Sequence, residues 1–207
     1  MSIVFIISAP SGSGKSTLVK RLMESDPSLM FSTSVTTRKP RPDDIAGKSY
    51  DFVSREQFLR LRDSGELLES AEVFGNYYGT SRAVLERARQ AGRDLILDID
   101  VQGAAQLKEK LPEAVTIFIL PPSRIELEAR LRNRSSDPDE VIERRLSEAR
   151  KEVENFGSYD YVLVNDQLDA SFEKLRSVLI AERCRQKRMA SLIEPILESF
   201  KAGTENG

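Results

Sequence analysis

Four short apolar runs punctuate the chain, at residues 3–8, 94–99, 115–120 and 161–164, each rich in Ile, Val, Leu or Phe. Runs this short and this apolar suit strands buried on both faces, as in a parallel sheet. Between them, polar and apolar positions follow helical spacing, and several helix starts carry their own signals. Ser123 with Glu126 makes a capping box ahead of "LEARLRNR". Asp137, Pro138 and Glu140 read as N-cap, N1 and N3 of the next helix, with Gly157 to close it. A last long helix starts near Asp169 and is interrupted at Pro195, ahead of a frayed "KAGTENG" tail. Strand and helix alternating over short links predict an α/β fold, a parallel sheet flanked by helices on both faces.

Two stretches break this rhythm. Residues 31–80 carry more material than a crossover needs, and their short strands and turns surround a single helix at 55–64, opened by the capping box of Ser54 and Gln57. They are expected to form an inserted lobe. Residues 121–156 read as a hairpin of two arginine-rich helices that buries little apolar surface and is free to move. Both excursions leave the sheet at the C-terminal ends of strands, where ligands bind in open α/β sheets. One domain is expected over residues 2–183, then a C-terminal helix and tail over 184–207.

The turn after the first strand holds the densest chemistry, "SAPSGSGKST" at residues 8–17. From Ala9 it fits G-x-x-x-x-G-K-[ST], with alanine where the first glycine stands. In such a P-loop the stretch Pro10-Ser11-Gly12-Ser13-Gly14, through its N–H groups from Ser11 onward, and the helix start at Ser16 and Thr17 cradle phosphate. Lys15 reaches the β and γ oxygens, and the Ser16 hydroxyl ligates Mg²⁺. A strand leads in and "TLVKRLM" leads out, the context the motif requires. In "DLILDID", Asp98 and Asp100 point the same way by strand alternation. Asp98 is the second Mg²⁺ candidate, directly or through water.

Composition then removes rival chemistries. With 207 residues, 40% hydrophobic, the chain can bury one compact core. Lys plus Arg is 31 against 33 Asp plus Glu, a formal charge of −2, so no general affinity for nucleic acid or a membrane surface is expected. Cys184 is the one cysteine, which excludes an internal disulfide, and the absence of histidine excludes Ser-His and Cys-His mechanisms. The first apolar run is too short for a signal peptide or a membrane span and has no basic flank, so a cytoplasmic setting is expected. Nothing in the pattern sets an oligomeric state.

The lobe supplies candidates for a phosphoryl acceptor site. "SVTTRKPRPDD" holds Arg38 and Arg41 beside Pro40 and Pro42, which keep the backbone extended, and two fixed guanidiniums suit a phosphate. "GNYYGT" brings Tyr77, Tyr78 and Thr80 together, either for a ligand or simply for hairpin packing. Taken in order, "SAPSGSGKST", "SVTTRKPRP", "SYDFV", "LLESAEVFGNYYGTS", "LDIDVQGA", "FILPPS", "RLRNR" and "YDYVLVND" resemble the guanylate kinases, most closely the bacterial ones. The resemblance spans nearly the whole of residues 2–183.

What the resemblance implies is a P-loop NTPase-type fold with a GMP-binding lobe and a helical lid, transferring the ATP γ-phosphoryl group to GMP, and to dGMP, with Mg²⁺. Arg38, Arg41, Tyr50 and Tyr78 would hold the GMP phosphate, while Ser34, Glu69, Thr80 and Asp100 would read guanine. Serine is more usual in the family where Thr80 stands. Arg134 and Arg145 would close over the ATP phosphates, and Asn165 would lie near the adenine. Such transfer needs in-line positioning and cations, here Lys15, Arg38, Arg134 and Arg145, and no histidine. A GTPase should carry N-K-x-D, which "VNDQ" is not. A kinase with another base preference, or a kinase-inactive peptide-binding module of the same fold, remains the alternative.

Overall fold

The structure, a computed structural model, describes residues 2–40, 50–73, 75–134 and 138–202. Along the chain run β1 (Val4–Ser8), α1 (Lys15–Ser25), β2 (Leu29–Phe31), β3 (Ser34–Thr36), β4 (Tyr50–Phe52) and α2 (Arg55–Asp63). Then follow β5 (Leu67–Val73), β6 (Asn76–Ser81), α3 (Arg82–Gln90), β7 (Asp94–Asp98), α4 (Val101–Lys110) and β8 (Val115–Leu120). The chain continues through α5 (Arg124–Arg134), α6 (Asp139–Val153), β9 (Tyr161–Val164), α7 (Leu168–Arg183) and α8 (Gln186–Ala202).

Five parallel strands form the main sheet in the order β2-β7-β1-β8-β9. This is the α/β architecture that the apolar runs predict. β1 lies at its centre and is apolar on both faces: Phe5 and Ile7 point to the side covered by α1 and α7, Ile6 to the side covered by α3 and α4. β2 is an edge strand of three residues, too short to stand out in the hydrophobic pattern. Because α1 follows β1 on one face and α4 follows β7 on the other, the ends of these neighbouring strands open a crevice between them.

Residues of the 31–80 stretch make a second sheet, order β4-β3-β6-β5, mostly antiparallel. α2 packs Phe58 onto it beside Val35 and Leu67, and starts at Ser54 with both halves of the capping box formed. α5 and α6 share an apolar cluster of Leu127, Leu131, Ile142, Leu146 and Ala149, so this hairpin buries more than its polar sequence suggests.

Helix ends show where local signals were overridden. Asp137 lies outside the described residues; Pro138 is the N-cap of α6 and not its first helical residue. α6 stops at Val153, and Gly157 falls in a 3₁₀ turn beyond it. The expected break at Pro195 is absent, since that residue lies within α8. The helix breaks at Cys184 instead, where buried Glu182 pairs with Arg185 and Arg188 and turns the chain from α7 into α8. The 203–207 tail lies outside the described residues.

Candidate active site

The phosphate loop is built by its backbone. Gly12 and Gly14 hold φ of 91° and 87°, the left-handed region that a side chain disfavours. Gly14 is also the N-cap of α1, which has no side-chain cap and no acidic residue in its first turn. Its leading amides are therefore left for an anion, reinforced by the helix dipole. The Lys15 ammonium pairs with Asp98 Oδ1 at 2.5 Å and donates to the Ile99 carbonyl at 3.3 Å. Parallel pairing of β1 with β7, Ile7 beside Asp98, brings these distant segments together.

Across the crevice stands a buried polar group. Glu69 on β5 is 4% exposed, and Oε1 accepts from the Thr80 hydroxyl on β6 at 2.7 Å. Burial pushes its carboxyl up to about 7; the Thr80 bond opposes this and neighbouring Asp100 adds to it. Gly103 makes room for it, since a Cβ there would lie 2.7 Å from Glu69 Oε2. Asp100 caps α4 by accepting from the Gly103 N–H at 2.8 Å, so strand-end capping and cavity lining coexist in one residue. Ser34 is buried on β3. The Arg38 guanidinium lies over the Tyr50 ring at 5.1 Å and the Phe52 ring at 5.6 Å. The two tyrosines part company: Tyr77 stacks on Phe58, whereas Tyr78 faces the crevice.

A single cavity of about 610 Å³ unites these walls. Residues 9–17 line it, with Ser34, Tyr50, Glu69, Tyr78, Asp98, Asp100 and Arg145. Arg38, Thr80 and Asn165 are not part of the lining; Thr80 and Asn165 touch it through Glu69 and Ser13. Arg41 and the side chain of Arg134 lie outside the described residues. A larger cavity of about 800 Å³ between α5 and α6 contains none of the predicted site residues.

Sequence reasoning missed Glu152. It lines the cavity on α6, two turns beyond Arg145 and hence on the same helix face. Burial pushes its carboxyl up to about 7, opposed by Lys15 and supported by Asp100 and Glu148. The spacing to Arg145 was the available signal, hidden among the many charges of that helix.

A glycine loop between a central strand and an uncapped helix, with a lysine and a strand-end carboxylate, defines a P-loop nucleotide-binding protein. The family model described as Guanylate kinase matches residues 1–182. Guanylate kinase of Koribacter versatilis is 51% identical, with 98% of this chain and 97% of that protein covered. The Geobacter sulfurreducens guanylate kinase is 52% identical over 94% and 96% of the two chains. A crystal structure of guanylate kinase from Anaplasma phagocytophilum superposes with a TM-score of 0.77 at 36% identity, covering 94% of each chain. The chain belongs to the guanylate kinase family.

Proposed function

We propose that this protein transfers the γ-phosphoryl group of ATP to GMP, giving ADP and GDP. One observation carries this: the phosphate loop and Glu69, held by Thr80, open into the same cavity. Guanine presents N1–H and N2–H₂ side by side, and one carboxylate accepts both. Adenine has an acceptor at N1 and no amine at C2, so it would leave buried Glu69 unpaired. A peptide-binding module would have no use for an intact phosphate loop facing such a group.

In this scheme residues 9–17 hold the ATP phosphates, and Lys15 leaves Asp98 for the transferring group. Arg38, Arg41, Tyr50 and Tyr78 take the GMP phosphate, Ser34 and Asp100 assist Glu69 on the base, and Arg134 on α5 and Arg145 on α6 meet the ATP phosphates from the hairpin. Mg²⁺ suits the donors present: Ser16 and Asp98 offer hard oxygens at the cavity wall, and an ion carried mainly by nucleotide phosphates needs few protein ligands. When bound it neutralises charge on the phosphate oxygens. Among the described residues no helix is long and apolar enough to cross a membrane. Such substrates suit a cytoplasmic enzyme of GMP recycling and purine nucleotide metabolism.

The test is direct. Purified protein with Mg²⁺, ATP and GMP should form GDP, and replacing GMP by AMP should abolish most turnover. Protein that forms no GDP yet binds a peptide partner would sink the proposal. Equal rates with AMP and GMP would remove guanine from it.

A further inference from the structure

Asn165 is held in a way that contact with adenine does not require. It is only 5% exposed, and its side-chain amide donates to the Ser13 carbonyl at 2.8 Å. Gly14, next in the loop, has no room for a side chain because a Cβ would collide with Asn165 Nδ2. The backbone of Asn165 is pinned on both sides. Its N–H donates to the Leu120 carbonyl at the end of β8 at 2.7 Å, and its carbonyl accepts from the Arg130 guanidinium of α5 at 3.0 Å. α5 also rests on the loop directly: a Cβ at Gly12 would lie 2.9 Å from Leu131 Cδ2 and 3.0 Å from Leu127 Cδ1.

We infer, on the reading of residues 9–17 as the ATP phosphate site, that Asn165 is a positioning residue of that loop and that α5 belongs with the loop to the fixed wall of the cleft. The carbonyl and N–H of a trans peptide point in opposite directions. Anchoring the Ser13 oxygen on Asn165 therefore turns the Gly14 N–H, in the same peptide plane, away from Asn165. Gly14 lines the cavity and Asn165 does not, so the anchored plane presents its donor to the phosphates. Without the anchor, a glycine-flanked peptide can rotate and offer its carbonyl oxygen instead, which repels an anion. Arg130 carries the same constraint into α5, and Leu127 and Leu131 close over it.

A base-free probe separates positioning from base contact. Asn165→Ala should weaken ATP by about tenfold, the worth of a buried hydrogen bond. It should weaken inorganic tripolyphosphate, measured as a competitor of ATP, by the same factor, with KM for GMP changed less than twofold. Arg130→Ala, which leaves Asn165 in place, should weaken both probes in the same ratio but by less, and covers the case in which Asn165→Ala does not fold. Variants that lose ATP affinity while binding tripolyphosphate like the wild type would overturn the inference, leaving a base contact alone. Wild-type enzyme without affinity for tripolyphosphate would instead overturn the phosphate-loop reading, and the inference with it.

Discussion

Glu69 meets two opposed demands, burial that favours its neutral form and a guanine ring that requires its charge. With its carboxyl pushed up to about 7 by burial, the free protein holds a mixture of both forms near neutrality. Two adjacent donors on guanine would select the anion, so GMP binding competes with a proton. KM for GMP should then rise as pH falls below about 7, approaching tenfold per unit, while KM for ATP stays flat. A GMP KM independent of pH between 5.5 and 7.5 would show that the anion is not what binds. Glu69→Gln should remove this dependence and cost about 2 kcal/mol or more in kcat/KM for GMP, since a charge-assisted pair becomes a neutral one. Rejection of AMP should weaken in the same variant. Wild-type values for both substrates would move base reading to Ser34, Thr80 and Asp100.

The helices of the 121–156 hairpin differ in what holds them. α5 is bonded to Asn165 and packed on Gly12, whereas α6 meets the cavity through Arg145 and Glu152. Closure over substrates should therefore slow amide exchange in α6 when ATP analogue and GMP are both present, with α5 already protected in the free enzyme. Equal changes in both helices would mean that the hairpin moves as one body. This division was not legible in the sequence, where both helices show the same mixture of arginines and acids. What could be read was whatever is decided locally or by a periodic pattern: the central strands, the Ser54 cap, the loop before Lys15. Contacts such as Asn165 to Ser13, 152 residues apart, leave no trace in spacing. The break at Cys184 was likewise set by a distant partner, Tyr161, whose hydroxyl donates to Glu182 at 2.6 Å, and not by the nearby proline.

For the molecule as a whole, a cleft lined by two raised carboxyls has a cost in stability that depends on pH. Glu69 and Glu152 titrate near 7 when folded, against an ordinary value of 4.5. Between those values the folded chain binds more protons than the unfolded one, so their contribution falls as pH rises and levels off above about 7. Melting temperature should accordingly drop between pH 5 and 7 in the free enzyme, and less so in Glu69→Gln. A rise over that interval in the wild type that Glu69→Gln leaves unaltered would contradict the assignment. Saturating GMP should shrink the drop as well, because the bound state stabilises the charged form of Glu69.

The position of β1 also governs when the protein can come into being. Its ladder partners are β7 and β8, so Phe5 waits for Ile96 and Val115 before either edge of the strand is satisfied. On the ribosome β1 is therefore an apolar ribbon that stays open until β7 and β8 have both emerged, and the phosphate loop behind it has no fixed shape until then. A nascent chain halted at residue 90 should leave the β1 amides unprotected against exchange. One halted well past residue 120 should protect them, so newborn enzyme depends on whatever shields Val4–Ser8 in the interval.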